Sequence, residues 1–261
     1  MGEPALVLHF HPGWGATGRA GGPTVIDALV ESGAYVSQWV TGTSNGGLAA
    51  HPGGDRWAWE SRLFAGRYDD SPPGDRPVYG AWNRHGDAYG AAPRFGSAYL
   101  RLRPAAVDRA TFCWPDSVHR PEAFGGPDRL DELCALADAG GLLTDPLDDY
   151  VEAQMHGGVL LSRDVEAVVV DPSDLDAHRR PLGRLPFPVE VHPGYRVSAR
   201  DIDPGYRGEV PVALAGRLGD EVTPAALSTA QRTGDHDPQA LKWLWHCLAR
   251  FGRLRGDRRD P

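Results

Sequence analysis

The sequence predicts a single-domain α+β protein, and three observations support that prediction. The chain has 261 residues, 41% hydrophobic and 24% charged, which is ordinary for one large globular domain. Short apolar runs typical of strands occur both early and late in the chain, with helical spacing between them. These runs do not alternate regularly with helices, so neither a βαβ series nor an eight-fold barrel is indicated.

The first elements follow from apolar runs and one helix cap. Residues 5–10 (ALVLHF) predict a buried strand. Helical spacing follows over residues 24–32, with Thr24 as the predicted N-cap, Asp27 three residues later and Gly33 as the stop. A second strand is predicted over 35–40, then a polar turn cluster over 41–47 and a short helix with an aromatic stripe over 55–64.

The rest of the chain predicts further strands around one leucine-rich helix over 128–139. A C-terminal helix opens at Asp237-Pro238, since proline is favoured in a first turn, and continues to 251. We expect residues 1–252 to form one catalytic domain and 253–261 to be a charged, disordered tail. The predicted strands are 78–82, 97–103, 110–114, 150–155, 165–171, 189–192 and 195–197.

Charge and composition restrict the partners and the compartment. The net charge of −8 argues against a general nucleic-acid binder, which usually carries a basic excess. No window approaches 18 apolar residues, and the first residues lack the basic and apolar regions of a signal peptide, so we expect no membrane partner. The cysteines number three and form no CxxC pair, which favours a reduced, cytoplasmic compartment.

Two histidines, His9 and His11, end the first predicted strand and project from the same face. Imidazoles at this spacing can chelate a metal, hold a substrate hydroxyl, or form hydrogen bonds in a cleft wall. As a metal site, this HxH pattern is similar to that of the amidohydrolase barrel, in which an HxH follows the first strand. His156 and His192 also follow strand-like runs, but the chain shows too few βα alternations for eight.

A second group of polar residues lies in and after the strand predicted over 35–40. Ser37 and Gln38 precede the cluster that contains Thr43, Ser44 and Asn45. Hydroxyls and amides at this density suit the ribose or amide of a ligand, and equally an ordinary loop with Asx turns. The phosphate-loop and dinucleotide-binding glycine patterns are absent from the sequence.

A third group lies on the strand predicted over 150–155. Glu152, Gln154 and His156 share one face, with Val151 and Met155 opposite, which predicts either a cleft wall or a solvent-facing edge strand. One carboxylate flanked by an amide suits stabilisation of a developing oxocarbenium ion. Two-carboxylate glycoside hydrolysis is less well matched, because the sequence shows no firm second carboxylate.

Six stretches together resemble one bacterial family, domain of unknown function 3626. They span nearly the whole chain: LVLHFHPG (6–13), YVSQWVTGTSNGGLAAHPGGDRW (35–57), RPVYGAWN (76–83), GAAPRFGSAYLRLRP (90–104), DDYVEAQMHGGV (148–159) and DPQALKWLWHCLARFG (237–252). That family is in turn similar to the ADP-ribosyltransferase fold. The resemblance implies a mixed or antiparallel split β-sheet around a central cleft, with peripheral helices and a C-terminal helix.

The same resemblance implies site residues. In the ADP-ribosyltransferase fold an early strand ends in a His or Arg that binds the NAD ribose, which here matches His9 or His11. The later Ser/Thr cluster matches Thr43-Ser44, and the catalytic glutamate matches Glu152. Many members carry ExE or QxE on the last strand, whereas here the amide of Gln154 follows the acid.

The resemblance therefore implies an ADP-ribosyltransferase-like enzyme that cleaves NAD, its substrate, and transfers ADP-ribose to an unknown acceptor. Glu152 is the predicted catalytic residue, Ser44 is expected to orient it, and Gln154 to contact the acceptor. Two alternatives stay open: a metal-dependent hydrolase built on His9 and His11, and a non-catalytic NAD-binding relative. The predicted NAD-binding residues are His9, His11, Ser37, Gln38, Thr43, Ser44, Asn45 and Gln154.

Overall fold

The computed structural model describes residues 2–18, 21–42, 50–140, 143 and 145–255. Ten strands occur in these ranges, and eight of them form one large sheet. The strands are β1 (Ala5–Phe10), β2 (Ala34–Tyr35), β3 (Val78–Asn83), β4 (Ala98–Leu102), β5 (Ala110–Trp114), β6 (Ala123–Gly125), β7 (Val151–Met155), β8 (Val159–Leu160), β9 (Val165–Val170) and β10 (Val189–Val191).

The large sheet is mixed and mainly antiparallel. Its strand order is β10-β9-β4-β1-β3-β7-β5-β6, and only β9 and β10 pair in parallel. β2 and β8 form a separate two-stranded sheet. The strand that carries Glu152, β7, lies between β3 and β5, so the edge-strand interpretation of residues 150–155 was wrong.

Helices fill the connections between strands and the C-terminal part of the chain. None of the helices in the described ranges is long and apolar enough to cross a membrane. The helices are α1 (Val25–Ser32), α2 (Gln38–Thr41), α3 (Asp55–Leu63), α4 (Leu130–Ala139), α5 (Leu161–Asp164), α6 (Pro172–Ala177), α7 (Arg179–Leu182), α8 (Pro204–Arg207), α9 (Glu209–Leu218), α10 (Pro224–Thr233) and α11 (Pro238–Phe251).

The two faces of the sheet differ in chemistry. Alternate side chains of β1 and β7 point to an apolar face and join a core to which α1 and α4 contribute leucines. Glu152 and Gln154 lie on the opposite face, next to Tyr79 and Cys113 on the neighbouring strands. A second core joins α9, α10 and α11. The apolar face of β7 thus packs in the core, while Glu152 and Gln154 lie on the opposite, polar face of the sheet.

Most of the predicted elements are confirmed within one or two residues. Thr24 and Asp27 form a reciprocal capping box at the start of α1, and Gly33 ends that helix with a left-handed φ of 65°. Asp237 caps α11, its carboxylate accepting from the backbone N–H groups of Gln239 and Ala240. Helices α9 and α10 were not predicted.

Three local predictions were wrong. The strand predicted over 35–40 ends after Tyr35, because only two residues pair with β8 and Ser37 then takes the N-cap position of α2. Residues 195–197 form two isolated bridges instead of a strand. Disorder was predicted from 253 onward, but Arg253 forms a β-bridge with Tyr195 and the Leu254 N–H donates to the Gly194 carbonyl. Residues 256–261 lie outside the described ranges.

Candidate active site

A cavity of about 270 Å³ is lined by residues of α1, β1, β3 and β7 and by the segment that follows β5. Of the predicted site residues it is lined by His9, His11, Ser37, Gln38 and Glu152. Register also places His9 and Glu152 on one face of the sheet, with β3 between their strands. Of the four remaining predicted residues, Gln154 does not line the cavity, and Thr43, Ser44 and Asn45 lie outside the described residues.

Glu152 is the best-anchored side chain of this cavity. One carboxylate oxygen, Oε2, accepts from the backbone N–H and the hydroxyl of Ser117, at 3.3 and 2.8 Å. The other, Oε1, accepts from the Gln154 amide at 2.9 Å. Burial raises the pKa of Glu152, and Asp116 adds to this effect, while Arg56 and the two hydrogen-bonding neighbours act against it. The carboxylate is therefore fixed in orientation and poorly solvated.

Arg56, in the first turn of α3, is a buried cation beside this carboxylate. Its Nη1 donates to the Ser117 hydroxyl at 2.8 Å, and that hydroxyl donates in turn to Glu152. The guanidinium stacks on the Tyr79 ring, 4.0 Å from its centroid. The Nε of Arg56 is buried without a hydrogen-bond partner in the described part of the chain. Arg56 thus balances the charge of Glu152 through Ser117 and keeps an unused donor.

Asp116 is a second buried carboxylate that lines the cavity. Its Oδ2 accepts from the Tyr150 hydroxyl, and its Oδ1 accepts from the Val118 N–H at 3.1 Å. No firm partner carboxylate for Glu152 was evident in the sequence, whereas the structure places Asp116 one residue before the Ser117 that binds Glu152.

The two histidines of the HxH pair have different surroundings. In His9, Nδ1 donates to the Gly96 carbonyl at 3.2 Å and Nε2 accepts from the Ala92 N–H at 3.1 Å. Gly90, at φ +77°, passes so close that a Cβ there would lie 2.5 Å from Nε2. Burial lowers the pKa of His9 to about 3, so the ring is neutral. His9 therefore holds the 90–96 segment, and both its nitrogens are engaged there, which leaves neither for a ligand.

His11 keeps its ring nitrogens available. The ring stacks on Trp14, with centroids 4.1 Å apart, and meets Trp245 edge-on at 4.7 Å. It is 5% exposed, and none of the residues within the described ranges forms a hydrogen bond with its nitrogens. Burial lowers the pKa of His11 to about 3. A neutral imidazole with one donor and one acceptor therefore faces the cavity.

The structure gives other predicted residues supporting positions. Gln154 is fully buried and does not line the cavity; its Oε1 accepts from the Thr111 hydroxyl at 2.8 Å, so its amide orients Glu152 rather than reaching an acceptor. The Ser37 hydroxyl donates to the Pro73 carbonyl at 2.8 Å. His156 lies behind the site, between the hydroxyls of Tyr68 and Thr111.

The metal-hydrolase alternative requires a set of ligands. Within the described ranges, no group of three or more His, Cys, Asp or Glu side chains is placed to hold a metal ion. His192, like His9, is bonded to backbone through both nitrogens: Nε2 to the Ser97 carbonyl at 2.8 Å and Nδ1 to the Gly194 N–H at 3.1 Å. His9 and His192 therefore serve as backbone anchors, and His11 lines the cavity.

Sequence reasoning missed Arg56, Asp116 and Ser117. Arg56 lies on a helix that was predicted with an aromatic stripe. One arginine is not distinctive in a chain with 27 Lys and Arg residues. Asp116 and Ser117 are the first polar residues after the buried run of β5, and that position was the one available signal.

The chain belongs to the family described as "Protein of unknown function (DUF3626)". The profile of this family matches residues 5–139 and 138–251, which reach from β1 to α11. No curated protein matches the chain.

Proposed function

We propose that this DUF3626 protein is an ADP-ribosyltransferase-like enzyme that takes NAD as substrate, breaks the nicotinamide–ribose bond and transfers the ADP-ribose to an acceptor. The observation that supports this most is Glu152, a buried carboxylate held by three donors in the wall of a cavity. A carboxylate oriented before the substrate arrives needs no reorganisation when positive charge develops.

The electrostatics suit that chemistry. As nicotinamide departs, its ribose acquires positive charge, and an anion in a poorly solvated site stabilises this charge more strongly than it would in water. Arg56 and the Ser117 hydrogen bonds favour the ionised form of Glu152 against the cost of burial. Ser117 thus does in the described residues what was predicted for Ser44.

The cavity also offers groups that fit part of NAD. The neutral ring of His11 has a donor and an acceptor for a ribose hydroxyl or a carboxamide. Small-molecule sites typically enclose about 300–1,000 Å³. The volume of about 270 Å³ lies just below this range, so we expect the cavity to take only part of NAD, the nicotinamide and its ribose.

Each residue around the cavity has one role in the proposed cleavage of NAD. Glu152 stabilises the ribose cation, and His11 anchors a polar group of the nicotinamide riboside. Gln154 and Ser117 orient Glu152, while His9 fixes the 90–96 segment that closes one side. Ser37 and Gln38 line the cavity at its α2 side.

The direct test measures nicotinamide release from NAD by the wild type and by Glu152→Gln, with NAD binding measured on both by calorimetry. We expect the wild type to release nicotinamide and the variant to lose about 10²–10³-fold in rate, the usual cost of removing a preorganised electrostatic group. Glu122→Gln, at an exposed position, is the matched control and should behave as the wild type.

Other results would redirect the proposal. NAD binding without release in the wild type, in the presence of candidate acceptors, would favour the non-catalytic relative. Neither binding nor release, together with one equivalent of metal in the purified protein, would favour the hydrolase alternative.

A further inference from the structure

The role given to Glu152 leaves one buried acid of the cavity unused. Asp116 is 6% exposed and lines the same cavity, in the segment that follows β5. A buried carboxylate requires compensation, which here comes from the Tyr150 hydroxyl and the Val118 N–H. Neither donor is a cation, and the imidazole of His119 comes no closer than 3.9 Å to Oδ1, so no hydrogen-bonded cation cancels the charge of Asp116.

Asp116 and Glu152 are connected through one peptide group. The N–H that donates to Glu152 Oε2 at 3.3 Å belongs to the peptide bond between Asp116 and Ser117. Their closeness also appears in the pKa of Glu152, which burial raises and Asp116 raises further. The two carboxylates are therefore adjacent in the wall of one cavity.

The carboxylate of Asp116 can still accept a proton or a hydrogen bond. Each of its oxygens accepts one bond from the protein, and a carboxylate has about four acceptor positions in all. The two bonded donors fix its orientation. An oriented carboxylate with acceptor positions left over has the properties of a general base, whereas a carboxylate in a fully bonded ion pair does not.

We propose that Asp116 is the general base that takes the proton from the acceptor, and that the acceptor is therefore a hydroxyl compound, water or an alcohol. This inference rests on the proposed cleavage of NAD. The bond between ribose C1′ and the nicotinamide nitrogen breaks, and its electron pair leaves with neutral nicotinamide. The acceptor oxygen forms a new bond to C1′, its proton passes to Asp116, and Asp116 later releases that proton to solvent.

The chemistry separates two kinds of acceptor. Water and alcohols become good nucleophiles when a base removes their proton. A pyridine base such as 3-acetylpyridine attacks through a nitrogen that carries no proton, so exchange of this base into NAD needs Glu152 but no general base. The ratio of solvolysis to base exchange therefore reports on Asp116 alone.

The experiment measures both reactions on one sample, using NAD with 3-acetylpyridine in water containing methanol and separating the products by chromatography. In Asp116→Asn we expect solvolysis to fall by about 10²-fold or more, the usual contribution of a general base, with a much smaller change in exchange. The dissociation constant of NAD, measured by calorimetry, should stay close to that of the wild type. Asp128→Asn, at an exposed position, is the matched control.

A parallel fall of exchange and solvolysis in Asp116→Asn would overturn the role as base. A wild type that performs neither reaction would instead overturn the proposed function itself. If Asp116→Asn does not fold, Tyr150→Phe removes one hydrogen bond from the intact carboxylate. A changed ratio in that variant supports the base, and an unchanged ratio contradicts it.

Discussion

Two buried carboxylate–arginine clusters lie side by side on the polar face of the sheet, and they differ in how completely they are paired. In the closed cluster (Trp39, Glu60, Arg76 and Tyr79), Arg76 bonds Glu60 directly at 2.8 Å. The other oxygen of Glu60 accepts from Trp39 at 3.0 Å and Tyr79 at 2.9 Å. In the open cluster (Arg56, Ser117, Glu152 and Gln154), the arginine reaches its carboxylate only through a serine.

The two carboxylates also differ in what they face. Glu60 is completely buried and does not line the cavity, whereas Glu152 does. The Tyr79 ring contacts both clusters, since its hydroxyl bonds Glu60 and its face carries Arg56. The same residue types can thus serve stability or chemistry, and the difference is whether hydrogen-bonding capacity remains unused toward a cavity.

The largest expected difference is in stability. Glu60→Gln should lower the free energy of unfolding by about 3–5 kcal/mol, because it leaves Arg76 buried without its counter-charge. Glu152→Gln should cost much less, since Arg56 bonds to Ser117 and not to the carboxylate itself. Urea unfolding of both variants measures this difference. Equal losses of stability would contradict the distinction between the closed and the open cluster.

A smaller effect concerns pH. Arg56 opposes the rise that burial causes in the pKa of Glu152, so Arg56→Met should raise that pKa further. Because the proposed reaction requires the ionised carboxylate, the acid-side fall in the rate of nicotinamide release should then occur at a higher pH. Rate–pH profiles of the wild type, Arg56→Met and the exposed Arg62→Met control measure this. A profile unchanged in Arg56→Met would show that Arg56 does not act on Glu152.

The smallest effect is expected at Ser117. Ser117→Ala removes the hydroxyl bridge but leaves Glu152 with the backbone N–H and the Gln154 amide. One hydrogen bond to a charged group contributes about 1.5–3 kcal/mol, so the rate should fall by roughly 10- to 150-fold. Single-turnover measurement of nicotinamide release tests this, with Ser117→Thr expected to restore part of the rate. A loss as large as that of Glu152→Gln would mean that the bridge, and not the carboxylate, limits the reaction.

The sequence was sufficient where the signal is local. The alternation in β7 predicted that Glu152 and Gln154 share a face, and the Thr24 cap predicted the start of α1. It was not sufficient where partners are distant: Ser117 lies 61 residues from Arg56 and 35 from Glu152. The histidine pair is an example. Both residues follow from the same HxH pattern, which does not indicate that His9 is bonded to the backbone while the ring nitrogens of His11 are available.

The strand order has a consequence for how the site comes into being. β7 inserts between β3 and β5, so most of the sheet is synthesised before the strand that joins its two parts. Arg56, Asp116 and Ser117 leave the ribosome well ahead of Glu152. A nascent chain that stops before residue 151 therefore holds Arg56, Asp116 and Ser117, but neither Glu152 nor the Gln154 amide that also bonds it. The Glu152 carboxylate therefore meets Ser117 only when β7 inserts between β3 and β5.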